Sequence, residues 1–112
     1  MKDDKNVAID EIKEKIDKFV SKRDWKKFHN PVSLSEAIIV EAGELLQLFL
    51  FSDLDTIKKE ALKVGRLRER IKEELADILI YSFELADHLD MDINEIIEEK
   101  LVKNSKKHPI SN

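Results

Sequence analysis

The sequence predicts an all-α fold, a bundle of four helices, and three observations carry that expectation. Only two glycines and two prolines interrupt 112 residues, so turn signals are scarce and long helices joined by short connections remain. Apolar residues recur at intervals of three and four through most of the chain, which is the helical period. Residues suited to capping stand where those periodic stretches begin. A chain of this length has room for one core, so residues 1–112 are expected to form a single domain.

Each element follows from local pattern. From Val7 to about Phe28, the spacing of Ile9, Ile12, Ile16, Phe19 and Val20 predicts the first helix. Its stop is expected at His29-Asn30-Pro31, because proline disfavours helical geometry in the residue before it. Ser33 with Glu36 three residues on reads as a capping box, opening a second helix that runs to about Phe51. Asp53 or Asp55 is expected to cap a short segment, Thr56 to Val64, which Gly65 breaks. The third helix is expected from about Leu67 to Leu89. Asp92 with Glu95 repeats the capping pattern and opens a fourth, roughly Ile93 to Ser105, ended by Lys106-Lys107-His108-Pro109.

Composition narrows the function. Hydrophobic residues make up 42% and charged residues 39%, enough apolar content to bury a core. With 24 acids against 20 bases the formal charge is -4, so no global positive field would draw in a nucleic acid polymer. The absence of cysteine excludes disulfides, thiolate metal sites and thiol nucleophiles. The charged start MKDDKNVAIDEIKEK and the lack of a long apolar run argue against a membrane partner, and a cytoplasmic location is expected.

The acids are the informative residues. At about 100° per residue, Glu44 falls about 60° from Glu41 on the second helix, among Leu34, Ala37, Ile38, Leu45 and Leu48. On the third helix Asp77 stands about 60° from Glu74, among Leu67, Ile71, Ile78, Tyr81 and Leu85. Two carboxylate pairs thus interrupt two apolar stripes, whereas solvated acids would face away from them. Stripes of this kind most simply pack on each other, bringing four carboxylates together, and like charges so placed must share protons or hold cations. With oxygen ligands only and no Glu-x-x-His, the natural cation is Mg²⁺ or Mn²⁺ rather than a di-iron centre. Such ions leave coordination positions for water and phosphate, which points to phosphate chemistry.

Two further expectations concern surfaces. Gly43 projects near Ile39, Leu46 and Leu50, so the second helix is apolar nearly all round and is expected to bury its other face in a homodimer or homotetramer. The Glu-Leu-Ala-Asp tetrapeptide occurs twice, and the second copy, ten residues on, is rotated about 80° from the first. Glu84 and Asp87 are therefore expected on a solvated or subunit-facing edge. His29 and His88, without partners at ligand spacing, are expected to be structural or solvent-facing.

The ordered set Arg23-Asp24-Trp25-Lys26-Lys27-Phe28-His29, Glu41-Ala42-Gly43-Glu44-Leu45, Glu73-Glu74-Leu75-Ala76-Asp77-Ile78-Leu79-Ile80-Tyr81, Lys100 to Asn104 and Lys107-His108-Pro109 resembles the all-α nucleoside triphosphate pyrophosphatases of the MazG type. It is most similar to their small dCTP pyrophosphatase branch. The resemblance implies Mg²⁺-dependent hydrolysis between the α and β phosphates, giving a nucleoside monophosphate and pyrophosphate. Carried over by position, it implies Glu41, Glu44, Glu74 and Asp77 as metal ligands and catalytic residues, with Glu41 or Glu44 as candidate base. It implies nucleotide contacts for Tyr81, Lys100, Asn104 and Lys107, and base enclosure by Trp25 and Phe51, where the close branch carries tryptophan at the latter position. A non-catalytic helical module that binds a nucleotide or partner around a structural metal is the alternative from another class.

Overall fold

Helical periodicity in the sequence becomes five α-helices in the computed structural model, which describes residues 2–111. In chain order these are α1 (Ile9–Lys22), α2 (Pro31–Gln47), α3 (Leu54–Leu62), α4 (Arg66–His88) and α5 (Ile93–Lys107), with a 3-10 turn at Lys26–Phe28 between the first two. The fold is all-α as expected, but the helix count is five and not four. The short segment expected behind an Asp53 or Asp55 cap, and not counted among the four, is a helix in its own right: the Asp53 carboxylate accepts the backbone N–H of Thr56 at 3.1 Å and its hydroxyl at 2.9 Å, starting α3 cleanly.

The expected boundaries move for identifiable reasons. The first helix stops at Lys22, not Phe28, because Asp24 turns into the left-handed region at φ 55°. Trp25 N–H then reaches back to the Val20 carbonyl at 3.1 Å and Asp24 N–H to Ser21 at 3.1 Å, the paired bonds of a Schellman termination. Asp90, at φ 54°, ends α4 in the same way, with Met91 N–H on the Ala86 carbonyl at 2.8 Å. An aspartate tolerates this conformation better than most residues, so glycine is not needed at either end.

The start of α2 also departs from expectation. Its cap is Asn30, whose side chain accepts Ser33 N–H at 2.9 Å while Asn30 N–H donates to the Ser33 hydroxyl at 3.1 Å. Pro31 occupies the first helical position, where its missing N–H costs nothing. One residue thus serves as a stop for the preceding chain and a start for the next helix. At the far end α2 finishes at Gln47, and Phe51, at φ 59°, lies in the turn beyond it.

The long helices α2 and α4 pack on each other along their length, as their stripes predict, and α1 and α3 also lie against α4. Among the described residues Val20, Leu34, Ala86 and Ile93 are the buried apolar ones, Leu34 completely so. Much apolar surface remains outside. Ile39 and Leu46 on α2, Leu50 in the turn after it, Leu75 and Leu79 on α4, and Ile97 and Leu101 on α5 are exposed, and Gly43 opens onto empty space. The accessible surface of 9379 Å² exceeds the about 6,400 Å² expected of a compact monomer of 13.1 kDa. The radius of gyration, 17.0 Å, likewise exceeds the about 13 Å of a compact chain near this length. Among the described residues no helix is long and apolar enough to cross a membrane.

Candidate functional site

The packing of α2 on α4 carries the acids with it. Glu41 and Glu44 stand one turn apart on α2, Glu74 faces them from α4, and one carboxylate oxygen from each lies within 4.8 Å of the other two. Glu74 is buried, Glu41 half-buried and Glu44 exposed, so the cluster grades from the helix interface to solvent. Asp77, one turn further along α4, is outside this group of three, yet its charge acts on Glu41.

The electrostatics of the cluster are those of crowded acids. A hydrogen bond with Glu74, then burial, then the charges of Glu44, Glu74 and Asp77 push the Glu41 carboxyl up to about 7. Glu74 Oε2 is buried with no hydrogen-bond donor. A buried carboxylate oxygen in that state calls for a proton or a cation. The donors are all oxygen, one is orphaned, and one side of the cluster is open, which suits a hard divalent ion that keeps some of its water.

Beside the acids lies a cavity of about 270 Å³. Asp77, Tyr81 and Glu84 line it from α4, Ile16 and Phe19 from α1, and Trp25 and His29 from the chain between α1 and α2. The termination at Asp24 is what turns Trp25 inward: its ring meets Phe19 edge to face, with centroids 5.6 Å apart. Arg23 lies over the Phe19 ring, 3.6 Å from its centroid, and donates to the Phe19 carbonyl at 3.0 Å. Burial, followed by the charges of Asp77, Glu41 and Glu84, raises the Tyr81 phenol above its ordinary value and keeps it a proton donor.

Of the residues expected at a site, the single chain therefore brings Glu41, Glu44 and Glu74 together and places Asp77, Tyr81 and Trp25 on the adjoining cavity. It does not bring Phe51, Lys100, Asn104 or Lys107 to that cavity. Phe51 is fully exposed beyond α2, and α5, which carries the other three, packs little on the rest of the chain.

One cavity residue runs against expectation. Glu84 was expected on a solvated edge, yet its side chain is 9% exposed, and Oε2 lies 3.5 Å from His29 Nδ1. Burial raises the Glu84 carboxyl, opposed by the charge of His29. The helical wheel contains the signal when Asp77 is taken as origin: Tyr81 then stands about 40° to one side and Glu84 about 20° to the other. Asp87, from the same second tetrapeptide, is exposed as expected.

This arrangement matches known proteins. The MazG-like family model matches residues 37–112. The chain is 31% identical over 103 residues to dCTP pyrophosphatase 1 of Mus musculus, covering 92% of this chain and 60% of that protein. It is 31% identical over 102 residues to the Homo sapiens protein of the same name, covering 91% and 59%. It thus spans about three-fifths of the length of these relatives. A solved pyrophosphatase structure from Archaeoglobus fulgidus superposes with a TM-score of 0.82 at 30% identity, covering 91% of this chain and 93% of that one. With the family model matching most of the helical core and both acid pairs, the chain belongs to the MazG-like family.

Proposed function

We propose that the protein is a nucleoside triphosphate pyrophosphohydrolase that cleaves between the α and β phosphates, with dCTP-like substrates favoured and nucleotide-pool cleaning as its role. The observation that carries this reading is the convergence of Glu41, Glu44 and Glu74 beside a cavity walled by Trp25 and Tyr81. The pyrophosphatase names of the relatives point the same way. Glu41, Glu44, Glu74 and Asp77 would hold Mg²⁺, or Mn²⁺ in its place. The bound metal would supply countercharge for the triphosphate and acidify an attacking water.

The chain's own groups do the rest. Glu41, whose affinity for a proton is raised toward neutrality, is well placed to accept one from water at physiological pH, and Glu44 is the alternative base. Tyr81 donates from its phenol to sugar or phosphate oxygen. Trp25 covers a face of the base. Incubating the protein with Mg²⁺ and a panel of deoxynucleoside triphosphates is expected to release pyrophosphate and monophosphate. Release of orthophosphate, or no turnover, sinks the reading.

Assembly belongs to the same proposal. An excess surface of about 3,000 Å² per chain is more than one standard interface covers, at roughly 800 Å² per partner, and fits a homodimer with an extensive contact or a homotetramer. A neighbour seated on the exposed faces of α2 and α5 would allow Phe51, Lys100, Asn104 and Lys107 to complete a site that the isolated chain leaves open. Sedimentation equilibrium is expected to report a mass of at least about 26 kDa, twice the 13.1 kDa of one chain. A stable monomer at micromolar concentration refutes the assembly.

A further inference from the structure

Two buried carboxylate oxygens have no hydrogen-bond donor among the described residues. One, on Glu74, belongs to the acid cluster. The other, on Glu84, is seven residues beyond Asp77, which places it about 10.5 Å along α4 and on the same side of the helix. Asp77, Tyr81 and Glu84 form a ladder down one wall of the cavity. Its lower rung takes no part in holding a metal.

His29 does not account for this carboxyl. Its Nδ1 is 3.5 Å from Oε2, beyond ordinary hydrogen-bond reach, and the side chain of Glu84 is nine-tenths buried. A buried acceptor left in this state costs about 1–3 kcal/mol. A donor can reach it through the cavity. Phosphate is disfavoured beside a carboxylate that has no cation, so the triphosphate belongs at the Asp77 end, where the acids would hold the metal. What reaches Glu84 is the other end of the substrate. Apolar walls from Ile16, Phe19, Val20, Trp25 and Ile80 suit the faces of a flat ring. A volume of about 270 Å³ is at the lower edge for ligand pockets, room for a base and sugar with the phosphates outside.

We propose that Glu84 is a specificity-determining residue that accepts a hydrogen bond from the exocyclic amino group of the nucleobase, so that the cavity favours cytosine over uracil. This deepens the pyrophosphohydrolase reading and rests on it. An ionised carboxyl is an acceptor only. Cytosine offers it an N4 amino hydrogen. Uracil turns the O4 carbonyl to the same point and sets two acceptors against each other in a dry site, where a site built for an N–H rejects an analogue that lacks it. A glutamine at this position carries both a donor and an acceptor and can meet either base.

The test compares kcat/KM for dCTP and dUTP, at pH 8 with Mg²⁺, in the wild type and in Glu84→Gln. The wild type is expected to prefer dCTP by at least about tenfold, and Glu84→Gln to bring the two within about threefold, mainly by a gain on dUTP. Because both substrates are read in the same preparation, loss of stability lowers both rates and leaves their ratio alone. Glu84→Ala supplies a second variant, expected to lower the dCTP rate more than the dUTP rate. A wild type indifferent to the two bases overturns the proposal without any variant. An unchanged ratio in Glu84→Gln and Glu84→Ala overturns it too and leaves Glu84 a structural partner of His29, with the hydrolase reading intact. Absence of turnover on every triphosphate removes both.

Discussion

Replacing Glu74 by Gln is expected to lower Mg²⁺-dependent pyrophosphate release from dCTP by at least about a hundredfold, the scale on which a preorganised charged or polar group contributes to phosphate or acyl chemistry. Glu74 is the buried member of the acid cluster, and its Oε2 has no hydrogen-bond partner among the described residues. Gln keeps the shape and can still accept a hydrogen bond from Glu41 through its carbonyl oxygen, while its neutral amide cannot serve as an anionic ligand. Asp77→Asn is expected to match it, since the ladder from the acids to the base begins at that residue. Asp87→Asn, on the exposed second tetrapeptide, is the control and should retain nearly full turnover. Helical circular dichroism separates lost chemistry from lost fold. A Glu74→Gln protein with retained helix and turnover within about threefold of wild type would show that the cluster is not the catalytic centre.

The acids were legible in the sequence because their arrangement is a property of helical period alone. Glu41 and Glu44, and Glu74 and Asp77, interrupt apolar stripes, and packing α2 on α4 brings the first three into reach of one another. Nothing beyond 3.6 residues per turn is required for that inference. Glu84 stands about 80° from Glu74 on the helical wheel and so falls off the acid stripe drawn from that residue, yet it lies only about 20° from Asp77. His29 is harder still. It sits in a turn after the 3-10 segment, and its approach to Glu84 depends on how α1 returns to α4, which no periodicity encodes.

The ends of helices follow the same division. Reading glycine and proline as punctuation finds the break at Gly65 and the boundary at Pro31, but assigns Pro31 only the role of a stop. Its neighbour Asn30 makes the pair a helix start, with Ser33 as the reciprocal partner and not the cap itself. Asp24 and Asp90 end α1 and α4 in a conformation usually given to glycine, and so leave no signal in a sequence with two glycines. The first of these ends has functional weight, since it directs Trp25 against Phe19 at the cavity.

The metal-free protein is expected to lose thermal stability as pH rises from about 5 to about 8, and Mg²⁺ is expected to restore it. The sign follows from Glu41, whose carboxyl has an ordinary value of 4.5 and is pushed up to about 7 in the fold. Between those values the folded chain binds more protons than the unfolded chain, so unfolding is progressively favoured as pH climbs through that window and no further once it passes about 7. The cause is crowding: above neutrality Glu41 gives up its proton beside the carboxyl groups of Glu44 and Glu74. A divalent cation relieves the same repulsion by replacing the proton, so it should bind more tightly at pH 8 than at pH 5.5 and release a proton as it does so. At one hundred times Kd it would stabilise the fold by about 2.7 kcal/mol, on the order of 10 °C in Tm for a chain of this size. Glu84 is shifted in the same direction, so the comparison that isolates the cluster is wild type against Glu41→Gln. The variant should melt higher than wild type at pH 8 without metal, show a flatter pH profile, and gain little from Mg²⁺. Equal melting temperatures across pH 5.5 to 8, with an undiminished response to Mg²⁺ in Glu41→Gln, would place both the charge repulsion and the cation elsewhere in the molecule.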